Sequence, residues 1–130
     1  MGTGYKNSAR HYNSIGDNLS KVANDYHYSN GYFGYSAKGK DNRVRHIVCN
    51  NPLATSKDLY NKLTYGGIEK VMPNGKGVFT KMKDGTIISY REYLSSDGTP
   101  VVDVNIRKSI DTSGIKQQKI HFVKKGRYYE

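Results

Sequence analysis

Toward its C-terminus the chain carries His121, Lys119, Asp103, Asn105, Ser89 and Arg91 in three short alternating runs, TIISYREY (86–93), VVDVNIR (101–107) and KIHFV (119–123). Successive side chains of a strand point to opposite faces. If Ile88 faces a core, then Ser89, Arg91, Asp103, Asn105, Lys119 and His121 share the other face. An unperturbed imidazole titrates near neutral pH, so His121 is the natural proton donor or acceptor. A guanidinium can grip a phosphate with two parallel bonds, which suits Arg91 to developing negative charge. Lys119, two residues before His121, is a second candidate cation. Asp103 is a candidate to orient the histidine or act as its partner base, and equally reads as a cross-strand ion pair with Arg91 or Lys119. Together these groups suit acid–base chemistry at a phosphate ester. A solvated polar face is the plainer reading of the same pattern.

Further residues border this set as substrate-binding candidates. Tyr90, Ser95 and Ser96 are donors to phosphate oxygens, although the serines also suit the turn that follows them. Ser89, Asn105 and Arg107 share the polar face. Lys76 sits in Gly75-Lys76-Gly77, which lacks the GxxxxGK[ST] pattern of a phosphate loop and reads as a turn with a basic side chain. Lys124 belongs to a basic tail, VKKGRYYE, that reads as a phosphate-contacting flap or a frayed end.

The elements that must hold these residues read as an antiparallel meander over 76–125. Asp84-Gly85 between VFTKM and TIISYREY is the pair a tight type I′ turn favours. Asp97-Gly98-Thr99-Pro100 and Gly114 mark the other connections. Upstream, Asn51-Pro52 opens a helix with a Leu53, Leu59, Tyr60, Leu63 stripe, and Gly66-Gly67 closes it. The segment IEKVMPNGKGV reads as the link from helix to sheet. VRHIVC (44–49) is β-prone, and its His46 reads as structural. The fold class expected is α+β, with one or two N-terminal helices packed on a roughly four-stranded antiparallel meander. Residues 1–43, rich in Asn, Tyr, Gly and Ser, read as a partly ordered leader to a domain spanning 44–130. Within it Ser14 is a candidate cap for a short helix carrying Ile15, Leu19 and Val22. NGYFGYSAKGK reads as irregular structure or a weak β-ribbon, and His11 and His27 as surface residues.

With 21 Lys and Arg against 11 Asp and Glu, the 130-residue chain has a formal net charge of +10. That balance suits nucleic acid, an anionic surface or an acidic protein as partner. No apolar run approaches the roughly 18 residues of a membrane span, and MGTGYKNSARHYN shows no secretory signal. Cys49 is the single cysteine, which excludes an internal disulfide and a CxxC metal site. Zinc-ligand spacing, a catalytic triad and a dinucleotide fingerprint are likewise missing. The 12 tyrosines offer base-stacking platforms as well as core residues.

Five segments carry a resemblance: YGGIEK (65–70), NGKG (74–77), MKDGTIISYRE (82–92), SSDGTPVVDVNI (95–106) and GIKQQKIHFVK (114–124). In motif and layout the chain from about Pro52 to Lys125 resembles the C-terminal toxin domains of bacterial polymorphic toxin systems, those on contact-dependent inhibition, Rhs/YD-repeat or LXG-type carriers. Many of these share the barnase–EndoU–colicin–RelE arrangement of helices on a four-stranded antiparallel sheet. The resemblance implies a metal-independent ribonuclease without cofactor, often acting on tRNA. It implies a monomeric toxin, delivered on a larger carrier into the target bacterium's cytoplasm and blocked there in a heterodimer with its cognate immunity protein. No membrane partner is implied. Two departures stand out: no strand-borne glutamate base is evident, and the meander holds no second histidine. In such an enzyme His121 serves as acid or base, with Arg91, Lys119 and Asp103 beside it.

Two other readings remain open. A metal-dependent deoxyribonuclease toxin needs clustered carboxylates, for which Glu92, Asp97 and Asp103 are the nearby candidates. A non-catalytic nucleic-acid-binding module needs only stacking tyrosines and phosphate-tracking lysines.

Overall fold

The computed structural model describes residues 13–36, 41–73, 75–92, 98–106 and 114–125. A short 3-10 turn (Ile15–Asn18) leads into helix α1 (Leu19–Ala23), and three two-residue strands follow: β1 (Tyr28–Ser29), β2 (Tyr32–Phe33) and β3 (Tyr35–Ser36). Then come β4 (Val44–Cys49), helix α2 (Pro52–Leu63), β5 (Ile68–Val71), β6 (Val78–Lys81), β7 (Ile87–Arg91), β8 (Val101–Asn105) and β9 (Gln118–Lys124). Strands β1 and β2 form a hairpin, and the rest make one seven-stranded sheet in the order β3-β4-β9-β8-β7-β6-β5.

The four-stranded antiparallel meander expected from the sequence is therefore corrected to a larger, mixed sheet in a mostly β fold. The antiparallel run β6–β9 is present, but β5 extends it on one side and β4 and β3 on the other. Strand β4 runs parallel to β9, with His46 opposite His121. Parallel neighbours are joined by long crossovers rather than tight turns, so no local signal announces the pairing. Strand β5 escapes notice for a different reason. All four of its residues are exposed, so the edge strand carries no alternation of buried and exposed positions.

Helix α2 lies across the inner face of the sheet against β9, β7, β8 and β4. It begins where Asn51 Oδ1 accepts a bond from the Ala54 amide at 3.1 Å with Pro52 in the first turn. Leu59, Tyr60 and Leu63 meet Ile88, Tyr90, Val102, Val104, Ile120 and Phe122 in the core. Among the described residues, no helix is long and apolar enough to cross a membrane.

Residues 13–36, set apart in the sequence as a leader, pack into this same core through Ile15, Val22 and Phe33. Each such burial contributes ~1.5–3 kcal/mol, a sum comparable with the ~5–15 kcal/mol net stability of a whole domain. Polar clips fix the orientation. Asn18 Nδ2 donates to the carbonyls of Leu63 and Tyr65, both at 2.8 Å, and so satisfies acceptors left open at the end of α2. Gln118, buried in β9, accepts from the Phe33 amide at 2.8 Å and donates to the Gly31 carbonyl at 3.0 Å. Arg45 donates to the carbonyls of Phe33 and Gly34 at 3.0 and 2.8 Å. The expected boundary at residue 43 falls between β3 and β4, which pair with each other through Tyr35 and His46.

Turn chemistry differs in place from the expectation. Asn30 and Gly31 both have positive φ (55° and 90°) and close the two-residue β1–β2 hairpin, the geometry of a type I′ turn. Asp84-Gly85 instead closes a three-residue loop. The Met82 amide donates to the Thr86 carbonyl at 2.9 Å and the Gly85 amide to the Met82 carbonyl at 3.0 Å. Of Lys83, Asp84 and Gly85, only the glycine is left-handed.

Candidate functional site

The register sorts side chains as alternation predicts. Cross-strand partners share a face, so His46, His121, Val101 and Arg91 form one row across β4, β9, β8 and β7. The next row runs Val44, Lys119, Asp103, Ser89, Phe79, Lys70 across six strands. A third holds Asn105, Ile87 and Lys81. This face is opposite the one covered by α2. Among the described strand residues it carries the cations Lys70, Lys81, Arg91 and Lys119 against the single carboxylate of Asp103, an arrangement suited to a polyanion.

The imidazoles of His46 and His121 stand beside each other, ring centroids 5.4 Å apart and planes tilted by 30°. His121 Nδ1 shares a 3.1 Å hydrogen bond with Thr99 Oγ1, which fixes the ring and directs Nε2 elsewhere. His121 is only 8% exposed, and His46 is the more open of the two. Arg91, one strand beyond Val101, holds Asp103 Oδ2 at 3.4 Å. Asp103 thus takes the ion-pair role with Arg91, and Thr99 is the group bonded to His121 Nδ1.

Of the sequence-predicted residues, the sheet brings His121, Arg91, Asp103, Lys119, Ser89 and Asn105 onto one face. Tyr90 lies on the opposite face, in the core. Its ring stacks on Tyr60 at 5.4 Å and its hydroxyl bonds Ser56 Oγ at 3.1 Å, so it is a packing residue rather than a phosphate donor. Lys124 also points to that opposite face, since it pairs with Cys49 one residue beyond the Val48–Val123 pair. Lys76 sits exposed in the β5–β6 turn, next to Gly77, which lies against Arg91 at the end of the row farthest from the two histidines. Ser95, Ser96 and Arg107 lie outside the described residues. His46 and Thr99 are the site residues that sequence reasoning missed. His46 alternates with Val44 and Val48 in VRHIVC, but only the parallel pairing gives it a partner. Lys70, which the sequence places only at the border of the site, lies on the exposed edge strand β5, and Lys81, at the end of β6, joins the same face beside Ile87.

Among the described residues, no three His, Cys, Asp or Glu side chains come together in a metal-holding group. The described site residues are therefore proton carriers, cations and small hydrogen-bonding groups. No family model matches the chain, and neither a curated protein nor a solved structure matches it.

Proposed function

We propose that the chain is a metal-independent endoribonuclease. The observation that carries this reading is the pairing of His46 with His121 at the head of a cationic sheet face. Cleavage through the 2′-hydroxyl needs a base to take its proton, cations for the crowded phosphorane, and an acid for the leaving 5′-oxygen. Two neighbouring imidazoles supply base and acid. One accepts the 2′ proton as the 2′-oxygen bonds phosphorus. The other protonates the departing 5′-oxygen, leaving a 2′,3′-cyclic phosphate and a 5′-hydroxyl. Arg91 and Lys119 stabilise the charge on the non-bridging oxygens, and Thr99 holds the His121 ring in place through Nδ1.

The resemblance of residues 52–125 to polymorphic-toxin domains supports the biological setting. In this reading the chain is a toxin domain delivered into a target bacterium, with tRNA as a candidate substrate. A cognate immunity protein blocks it, presenting an acidic surface to the cationic face. The test incubates the purified chain with total bacterial RNA and with plasmid DNA, each with and without EDTA. RNA cleavage that persists in EDTA, yields 2′,3′-cyclic phosphate ends and disappears in His46→Ala and His121→Ala supports the reading. DNA cleavage abolished by EDTA, or RNA cleavage indifferent to both substitutions, overturns it.

A further inference from the structure

One row along the strands from the histidine pair, the same face opens into a cleft of about 450 Å³. We propose that this cleft is a base-recognition subsite that seats the nucleoside attached to the scissile phosphate. The proposal rests on the ribonuclease reading of this face. The cleft is lined by Arg43, Val44, Ser89, Asp103, Asn105 and Lys119, among others. Its volume lies in the range of small-molecule sites.

Position argues first. Lys119 belongs both to the cleft and to the row beside His121, and residues two apart on a strand lie about 7 Å apart. A phosphate held between the histidines, Arg91 and Lys119 therefore carries its sugar and base toward the cleft. Chemistry argues next. Asn105 is exposed at the end of β8, and its amide offers a donor and an acceptor side by side. That pair matches the edge of a nucleobase. Ser89, in the row between, adds a hydroxyl that both donates and accepts. Arg43 is paired with Asp41, through Nε at 3.1 Å and Nη2 at 2.9 Å, which orients its exposed guanidinium plane. A guanidinium plane is a stacking surface for an unpaired base. Asp103 is already engaged by Arg91, so its charge toward an incoming phosphate is offset. Splayed single-stranded RNA presents the base edge and face that such a cleft reads, whereas a duplex hides them.

The test titrates the 130-residue chain with each of the four 3′-mononucleotides while backbone amide shifts are followed by NMR. The expected shifts centre on Ser89, Asn105 and Lys119, with one base bound at least fivefold more tightly than the weakest. Asn105→Ala removes that preference, costing the favoured base about tenfold in affinity. On RNA dinucleotides, the same substitution evens out cleavage rates across bases. Shifts centred elsewhere, or a base preference that survives Asn105→Ala, overturn the proposal. The two readings separate cleanly. Binding in the cleft without any RNA cleavage keeps the subsite and ends the nuclease. Cleavage with no base preference and no shifts at these residues keeps the nuclease and ends the subsite.

Discussion

His46 and His121 occupy matching positions on adjacent parallel strands, with ring centroids 5.4 Å apart. Residues 75 positions apart in the chain are thereby made near neighbours by a single strand pairing. Two imidazoles acting as base and acid must be in opposite protonation states, which gives cleavage a bell-shaped dependence on pH. Replacing either one removes its limb of the bell and lowers kcat by about 10²–10⁴-fold. His46→Gln and His121→Gln, checked for folding by circular dichroism, are the variants to use. A bell that keeps both limbs in either variant would remove that histidine from the chemistry.

Lys70, Lys81, Arg91 and Lys119 share the open face, so RNA affinity is expected to fall steeply with salt. For single strands each phosphate contact contributes about −0.7 to the slope of log K against log salt. Lys119→Ala is expected to weaken binding and to flatten that slope by about this amount. Arg91→Ala does more, since it also leaves the half-buried Asp103 without its ion-pair partner. Binding is measured on the chain carrying His46→Gln and His121→Gln, so that RNA is not consumed. Equal slopes for Lys119→Ala and the parent would show that Lys119 meets no phosphate.

Alternation was enough to read the faces of β7, β8 and β9, because each has a buried side that writes period two into the sequence. Ile88, Val102, Val104, Ile120 and Phe122 are all buried on the side where the pattern put them. Alternation also puts Tyr90 on the buried face with Ile88, so the phosphate-donor role suggested for it ran against the pattern. Partnership was not legible. VRHIVC announces a strand, yet its neighbour is set by a crossover of nearly seventy residues, and that neighbour turns His46 from a structural residue into half of a pair. Asn30-Gly31 was the stronger hairpin signal in the chain. It reads only as irregular structure or a weak β-ribbon because its flanking strands are two residues long and hold tyrosines rather than aliphatics. The docking of residues 13–36 was hidden because side-chain bonds to backbone carbonyls, from Asn18, Arg45 and Gln118, leave no sequence period.

Arg45 illustrates the cost of those bonds. It is buried on the α2 side of β4, donates to Phe33, Gly34 and Asn42, and lies 4.8 Å over the Tyr32 ring. Burial pulls its guanidinium pKa down from the ordinary value, but arginine stays charged across the accessible range. Arg45→Met keeps the volume and strands three carbonyl acceptors. The expected loss is about 2–3 kcal/mol, read as a lower urea midpoint. An unchanged midpoint would mean that the N-terminal segment does not depend on this clip.

Asp58 sets an acid limit on α1–α2 packing. Burial pushes its carboxyl upward, but the Tyr26 hydroxyl and Lys62 outweigh it and hold the pKa below the ordinary value. Lys62 also bonds Asp25 beyond α1, at 2.5 Å. A carboxyl lowered on folding stabilises above its unfolded pKa of about 4 and loses that contribution as pH falls through the folded value. Asp58→Asn is therefore expected to be less stable than the parent at pH 7, by no more than ~1 kcal/mol because the pair is solvent-screened. The difference closes as pH drops below about 4. A gap that persists at pH 2 would assign the effect to packing instead of charge.

Gly34 joins β2 to β3 at φ +67°, and a Cβ there would stand 2.3 Å from the His46 carbonyl oxygen and 2.9 Å from Ile47 Cγ1. Gly75, at φ +71°, has nothing within 4 Å of the same position. The two glycines therefore separate backbone strain from steric contact. Gly75→Ala incurs only the left-handed strain, about 1 kcal/mol. Gly34→Ala adds a clash with the backbone of β4, and its expected cost is about 2 kcal/mol or more. Because that backbone carries His46, the substitution should also lower kcat at temperatures where the chain remains folded. Gly75→Ala, out in the β5–β6 turn, should not. Equal stability losses for the two variants would mean that β4 yields freely to the N-terminal segment, and the histidine pair would then owe its geometry to β9 alone.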